Sequence, residues 1–157
     1  MDNVLSLILK DTYTLTLLKH RLSILKSHLV SHFFTDKTED STNQADLAWI
    51  KSLPDDFYKK FDKDNVYEYF SIAESEIEDL TTLIIYLPFQ TDEHIEAQIG
   101  ELTRKIFNPN LMLDCKYDPN LIAGCALVWK GIYKDYSLRV KIEERKAEVL
   151  ESFKKYL

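Results

Sequence analysis

Glycine is scarce in this chain of 157 residues, which has only three. No GxGxxG or GxxxxGK segment occurs, so the sequence lacks the phosphate-binding loops of Rossmann and P-loop enzymes. The two cysteines, Cys115 and Cys125, lie in one apolar stretch without a CxxC pair or a histidine at ligand spacing. We expect reduced, buried thiols and neither a bound metal nor a cofactor.

Long hydrophobic runs are also missing. No stretch of eighteen apolar residues occurs, and the first fifteen residues combine an acidic residue at position 2 with threonines where a signal peptide needs an unbroken apolar core. The sequence therefore predicts a soluble, intracellular protein without direct membrane insertion.

The net charge is −6, and the excess acid lies in the middle of the chain. Residues 35–80 carry thirteen acidic and five basic groups, whereas residues 81–157 carry eleven of each. An acidic chain disfavours nucleic acid as the main partner. The acidic run is by default a solvated surface, and a sharper interpretation is a docking face for a basic partner helix. Its members include Asp55, Asp56, Asp62, Asp64, Glu74, Glu76, Glu78 and Asp79.

A change of composition near Leu80 predicts two domains and an α+β fold class. Residues 1–80 are predicted to form an all-helical N-terminal bundle. Residues 81–157 are predicted to form a small α/β domain with the element order β-α-β-β-α.

The pattern in the first half is helical throughout. Residues 3–34 contain no proline or glycine, and leucines at alternating steps of three and four predict one long amphipathic helix that packs in the core. Residues 35–43 predict a polar loop, and residues 45–53 a short helix that ends before a proline. Asn65 and Glu68 predict a capping box at the start of the next helix. The leucines of the first helix are Leu15, Leu18, Leu22, Leu25 and Leu29.

In the second half, residues 81–87 are β-branched and aromatic and predict a buried strand. Thr91 is then predicted to cap a helix with one apolar face. Residues 111–117 alternate apolar and polar side chains, which predicts a strand, and residues 121–129 are apolar on both faces, which predicts a central strand. The apolar face of the helix comprises Ile95, Ile99, Leu102 and Ile106.

Two turns and a final helix complete the second half. Asp118-Pro119-Asn120 predicts a turn because Asp bonds forward and Pro presets φ. Lys130-Gly131 predicts a turn into a short edge strand at residues 132–134. Ser137 is predicted to cap one last helix, with an exposed pair formed by Glu151 and Lys155. The side chains predicted to point inward are Leu138, Ile142, Val149, Leu150, Phe153 and Leu157.

The histidines offer no strong catalytic pattern. His28 and His32 are one helical turn apart, a spacing compatible with a metal, but nothing supplies further ligands, so a solvated helix face is expected. His20 and His94 are interpreted as surface residues. No GxSxG elbow marks a nucleophile, and we expect no catalytic residue and no enzyme activity.

The C-terminal segment contains D-P-N-L-I-A-G within residues 117–124, a turn at residues 130–131 and D-Y-S-L-R at residues 135–139, before the last helix. This order and spacing resemble the signature of the F-type ATP synthase delta subunit, in which D-P-S-L-I-G-G, a short turn and D-G-S-x-R precede the last helix. The mitochondrial counterpart of that subunit is the oligomycin-sensitivity-conferring protein. Residues 83–93 resemble the strand, proline turn and helix start upstream of this signature. The matching motif residues are Asp118, Pro119, Leu121, Ile122, Gly124, Gly131, Asp135, Ser137 and Arg139.

The resemblance covers roughly residues 80–145 and has three departures. Ala123 replaces the first glycine of the pair, Asn120 stands where serine is usual, and Tyr136 replaces the glycine of D-G-S. The first half carries no motif that matches the family's helical domain.

The resemblance implies a non-catalytic stator subunit at the cytoplasmic face of the inner membrane. The helical domain would bind the N-terminal helix of the alpha subunit, and the α/β domain would bind the C-terminal part of the b subunit. Two alternatives remain open: an E-like subunit of the peripheral stalk of V- or A-type ATPases, and an unassigned α/β ligand-binding domain or enzyme.

Overall fold

The computed structural model describes residues 4–34 and 43–154. It is a mixed α and β structure, and its contacts divide the chain into two compact units, the first ending at Leu80 and the second beginning at Thr81. Each unit is described by itself below.

The described part of the first unit is helical and has an apolar core. Its helices are α1 (Val4–Leu9), α2 (Leu15–Phe34), α3 (Gln44–Ser52), α4 (Asp55–Tyr58) and α5 (Val66–Glu78). The leucine stripe of α2 is buried at Leu18, Leu22, Leu25 and Leu29, as the spacing predicts. Four residues of α5 join this core: Val66, Phe70, Ala73 and Ile77.

The single long helix predicted over residues 3–34 is wrong, because the chain breaks between α1 and α2. Thr12 and Thr14 are buried at the break. The Arg21 guanidinium donates to the Thr12 hydroxyl at 2.6 Å, and the Leu17 amide donates to Thr14 Oγ1 at 3.4 Å. Threonine side chains that bond the backbone favour a helix start over a helix interior, so α2 begins afresh after Thr14.

The capping box predicted at Asn65 and Glu68 is also wrong. Asn65 occupies the cap position of α5, but its side chain makes no cap hydrogen bond. Its Oδ1 accepts instead from the Asp62 amide at 2.9 Å, and its Nδ2 donates to the Lys60 carbonyl at 3.0 Å. The side chain therefore closes the preceding loop. The short helix predicted over residues 45–53 is confirmed as α3.

The second unit contains β1 (Thr82–Leu87), α6 (Glu93–Ile106), β2 (Met112–Tyr117), β3 (Ala126–Trp129), β4 (Ile132–Asp135), α7 (Leu138–Glu144) and α8 (Lys146–Lys154). The strands form one sheet in the order β2-β1-β3-β4. β1 and β2 are parallel, as a helical crossover requires, and the pairs β1–β3 and β3–β4 are antiparallel.

The core of the second unit lies on one face of the sheet. Side chains of β1 alternate buried and half-buried, and Leu83 pairs in register with Leu113 of β2. Ile99 of α6 packs against this cluster, whereas Leu102 and Ile106 on the same helix are exposed. The predicted cap of α6 shifts by one residue: Asp92 accepts from the Ile95 amide at 2.8 Å. Thr91 bonds Glu96 instead.

The central strand predicted over residues 121–129 is shorter than expected, because only its second half is β3. Gly124 has a φ of +87°, which turns the chain out of the extended conformation. The turn at Lys130-Gly131 and the edge strand after it are confirmed, with Trp129 opposite Ile132 in the hairpin. Both turn residues have positive φ, as a tight hairpin requires.

The prediction of one last helix with inward-facing apolar side chains is wrong in two respects. It is two helices, which separate at Arg145, and no described side chain of α7 or α8 is buried. Ser137 occupies the cap position of α7, but its hydroxyl makes no cap hydrogen bond. The side chain of Val149, together with Lys155 and Leu157, lies outside the described residues.

Candidate interaction surfaces

Most of the motif residues come together at one end of the sheet, where β2 ends and β3 begins. Asp118 follows β2 and closes the predicted turn, since its Oδ1 accepts from the Asn120 amide at 2.9 Å and its carbonyl from the Leu121 amide at 3.2 Å. Leu121 is 1 % exposed, so it anchors this loop in the core. The Asp118 amide in turn donates to the Leu87 carbonyl at the end of β1.

The loop between Asp118 and β3 is joined by backbone bonds to the segment that enters α7. The Leu138 amide donates to the Ala123 carbonyl at 2.8 Å, and the Tyr136 amide to the Cys125 carbonyl at 2.9 Å. Gly124 lies between these bonds, and a Cβ built on it would be 2.6 Å from the Tyr136 carbonyl oxygen. The close approach of two backbones therefore requires glycine at this position.

Asp135, at the end of β4, organises the entry to α7. Its Oδ1 accepts from the Ser137 amide at 2.8 Å, and its Oδ2 from the Arg139 guanidinium at 3.2 Å. The neighbouring Ser137 hydroxyl, the Ser137 amide and the Arg139 guanidinium hold the pKa of Asp135 below its usual value. The Ser137 side chain is fully buried beside this carboxylate. Asp135 therefore fixes the local backbone.

Three motif residues stand apart from this arrangement. Gly131 lies in the hairpin turn at the opposite end of β3, with open space where a Cβ would be. Ile122 is 62 % exposed, although the sequence places it in a central strand. Pro119 is exposed in its turn. These three residues shape turns or the surface.

Tyr136, which stands where the delta-subunit signature has glycine, is half-exposed beside the edge of the sheet. It lines a hollow of about 190 Å³ with Trp129, Ile132 and Lys134. The substitution therefore adds an aromatic wall to a small apolar surface.

The last two helices of the second unit each expose a pair of apolar side chains. Leu138 and Ile142 are 42 % and 40 % exposed on α7, and Leu150 and Phe153 are 52 % and 65 % exposed on α8. Spacings of three and four residues place such side chains on one face of a helix. We call these four residues the C-terminal stripe. Clustered apolar side chains left in water are typical of a protein-binding surface.

The first unit exposes an apolar and acidic face on α5. Tyr67, Tyr69 and Ile72 are exposed, and Glu68 lies one turn before Ile72. Glu74, Glu78 and Asp79 are exposed and add negative charge, whereas Glu76 is half-buried. Lys26 of α2 pairs with Glu74 at 2.8 Å. We call the exposed side of α5 the acidic face.

Among the described residues, no group of three or more His, Cys, Asp or Glu side chains is arranged to hold a metal ion. His20 contacts Asp46 at 3.1 Å, and His94 contacts Gln98 at the same distance.

Both cysteines are free and half-buried. Burial, then the Glu96 and Asp114 carboxylates, raise the pKa of Cys115 to about 11, and burial with Asp135 raises the pKa of Cys125. Neutral thiols are poor nucleophiles, so neither cysteine is activated for attack in this conformation.

No protein-family model matches this chain, and no curated protein sequence matches it. Among the described residues, no helix has the length and apolar character needed to cross a bilayer.

Sequence reasoning located the motif loops and interpreted the acids of α5 as a docking face, but it assigned the C-terminal stripe to the core. A helix with an apolar stripe looks the same in sequence whether the stripe faces its own core or a partner. One signal in the sequence could have found this surface. Six apolar side chains were assigned inward on the last helix, which follows a short edge strand. Little of the sheet is left there for six side chains to cover.

Proposed function

We propose that the protein is a non-catalytic stator subunit in the peripheral stalk of an F-type rotary ATP synthase. It would link the alpha subunit of the catalytic head to the b subunit at the cytoplasmic face of the membrane. The proposal rests on the delta-like motif and on one structural observation. Each of two compact units leaves an apolar surface exposed.

That arrangement suits a connector for a physical reason. When two binding surfaces belong to one molecule, engagement of the first raises the effective concentration of the second. A stator part gains resistance to torque from this coupling without any catalytic group. The finer fold assignment, a helical head-binding domain followed by a b-binding α/β domain, is part of this proposal.

The C-terminal stripe is the proposed contact for the b subunit. An amphipathic helix can pack its own apolar side chains between Ile142 and Phe153, with charged residues at the edges of the contact. Both signs of charge occur on α7 and α8, so salt should affect this interaction weakly.

The acidic face is the proposed contact for the N-terminal helix of the alpha subunit. A partner helix that offers apolar residues to Ile72 and basic residues to Glu68 and its neighbours would match this surface in hydropathy and charge. Exposed charges are screened over roughly 8–10 Å at physiological ionic strength, so this contact should weaken as salt is added.

The test uses the full chain and two peptides, one copying the C-terminal helix of the b subunit and one the N-terminal helix of the alpha subunit. Ile142→Ser with Phe153→Ser should weaken binding of the b peptide about tenfold or more, because central apolar anchors carry most interface energy. Ile72→Ser should selectively weaken binding of the alpha peptide. Calorimetry gives both affinities.

Exposed isoleucine and leucine residues elsewhere provide the controls. Ile132→Ser on β4 and Leu102→Ser on α6 remove side chains that are 61 % and 58 % exposed, and both should leave the two affinities unchanged. If the folded chain binds neither peptide at micromolar concentration, the stator assignment is wrong.

A further inference from the structure

A hollow of about 550 Å³ lies within the first unit, between α2, α3 and α4. Leu29, Ile50 and Phe61 line it and are each less than 7 % exposed, so its floor is part of the apolar core. Sites for small organic molecules span roughly 300–1,000 Å³ and are mostly apolar with a few placed polar groups. The size and the floor therefore suit a ligand with an apolar body.

The polar groups of the hollow are unevenly divided between donors and acceptors. His28 and His32 face it from successive turns of α2, and Lys51 reaches it from α3. These three side chains carry nitrogen atoms, whereas only one carboxylate lines the hollow, that of Asp55 at the start of α4. Ammonium and imidazole N–H groups donate hydrogen bonds, so the mouth of the hollow favours an acceptor that carries negative charge.

Tyr58 does not add a free donor to this set. Its hydroxyl donates to the Ile50 carbonyl at 2.6 Å, and burial together with Asp55 raises its pKa, which keeps the phenol protonated. The ring stands edge-on to His28, with 6.5 Å between centroids. Tyr58 therefore forms a fixed wall, while the histidines and Lys51 are the groups available to a ligand head.

We propose that this hollow binds a small amphiphilic carboxylate, with its apolar body on the floor and its head group beside Lys51, His28 and His32. A metal ion is disfavoured because Lys51 is a cation. A strongly polar ligand is disfavoured because its polar groups would lose their water against Leu29 and Ile50 without gaining hydrogen bonds. No residue of α5 lines the hollow, so this site does not depend on the stator assignment.

Octanoate, octan-1-ol and octylammonium share one apolar chain and differ in head-group charge, which makes them suitable probes. Calorimetry with the full chain should show octanoate binding at least about tenfold more tightly than octan-1-ol, since charge-assisted hydrogen bonds are the stronger class. Octylammonium should bind most weakly. Amide NMR shifts caused by octanoate should map to residues of α2, α3 and α4 that line the hollow.

Two variants locate the site. Lys51→Met keeps the stem but removes the charge, and it should weaken octanoate binding about tenfold without affecting octan-1-ol. Lys60→Met makes the same change at an exposed lysine outside the hollow and should have no effect. Leu47→Trp should fill the space and abolish binding of both probes in a chain that still melts cooperatively.

Several results would overturn the proposal. Octan-1-ol binding as tightly as octanoate would show that the head group is not recognised, and equal effects of the two lysine variants would place the anion elsewhere. Absence of octanoate binding at millimolar concentration would exclude the site. The peptide measurements decide the stator assignment separately, so either proposal can fail alone.

Discussion

Replacement of Gly124 by alanine tests how the loop before β3 packs against the entry to α7. Gly124 has a φ of +87°, and an added Cβ would lie 2.6 Å from the Tyr136 carbonyl oxygen and 3.1 Å from Ser137 Cα. Both contacts are with backbone, which cannot rotate away as a side-chain tip can. The backbone bonds from Leu138 to Ala123 and from Tyr136 to Cys125 hold the two segments together.

The expected cost has two parts. A left-handed conformation costs a residue with a Cβ about 1–2 kcal/mol. Forcing an extra carbon into a packed site costs about 1–3 kcal/mol. Gly124→Ala should therefore destabilise the second unit by about 2–5 kcal/mol.

Gly131 is a matched control because it shares the conformation without the contact. Its φ is +78°, and no heavy atom lies within 4 Å of a Cβ built there. Gly131→Ala should therefore cost only about 1–2 kcal/mol. The reduced entropy of the unfolded chain is common to both substitutions and cancels in the comparison.

The assay is thermal unfolding followed by the fluorescence of Trp129, in a Trp49→Phe background that leaves one tryptophan in the chain. A difference of 1 kcal/mol shifts the Tm of a domain this small by roughly 4–8 °C. The Tm of the Gly124→Ala variant should lie below the Tm of the Gly131→Ala variant by at least this amount. Equal melting temperatures would refute the close backbone approach and with it the structural role of this motif glycine.

Three further predictions concern caps and titrating groups. Asp92→Ala should destabilise the second unit by about 1 kcal/mol in urea unfolding through loss of the α6 cap, and Thr91→Ala by less. Asp135→Asn should be less stable than the native chain at neutral pH. Because the folded pKa of Asp135 is lowered, this stability difference should be full above about pH 5 and shrink as pH falls below about 4, measured by unfolding at each pH. Cys115, with a pKa of about 11, should react with iodoacetamide at pH 8 far more slowly in the folded chain than in urea, as mass spectrometry would show. An equal rate in both states would contradict its burial.

Much of the local structure follows from short-range physics and was predictable from the sequence. The turn at Asp118 is set by its own side chain and the proline after it, and β1 by a run of β-branched residues. The hairpin at Gly131 depends on positive φ in adjacent residues. Each of these interactions spans only a few residues, so the local sequence is enough to predict it.

Caps and helix breaks were less predictable because several side chains compete for the same amides. Asn65 satisfies the preceding loop in place of α5, and Asp92 takes the cap that Thr91 could have supplied. The break before α2 depends on Arg21, which contacts Thr12 from the following helix. Such outcomes depend on which partner lies in reach once the chain has folded.

The sequence alone determined where apolar and acidic side chains lie along each helix and which segments form strands. Only the tertiary structure decided which apolar faces became core: the stripe on α2 is buried, while that on α7 and α8 is in water. It also placed Lys51 on the same hollow as the histidines of α2, and Asp135 within ion-pair distance of Arg139 across the start of α7. The reason is that the periodicity of a helix shows only that one face is apolar and would gain from burial. Whether that face is covered depends on surfaces that distant parts of the chain contribute.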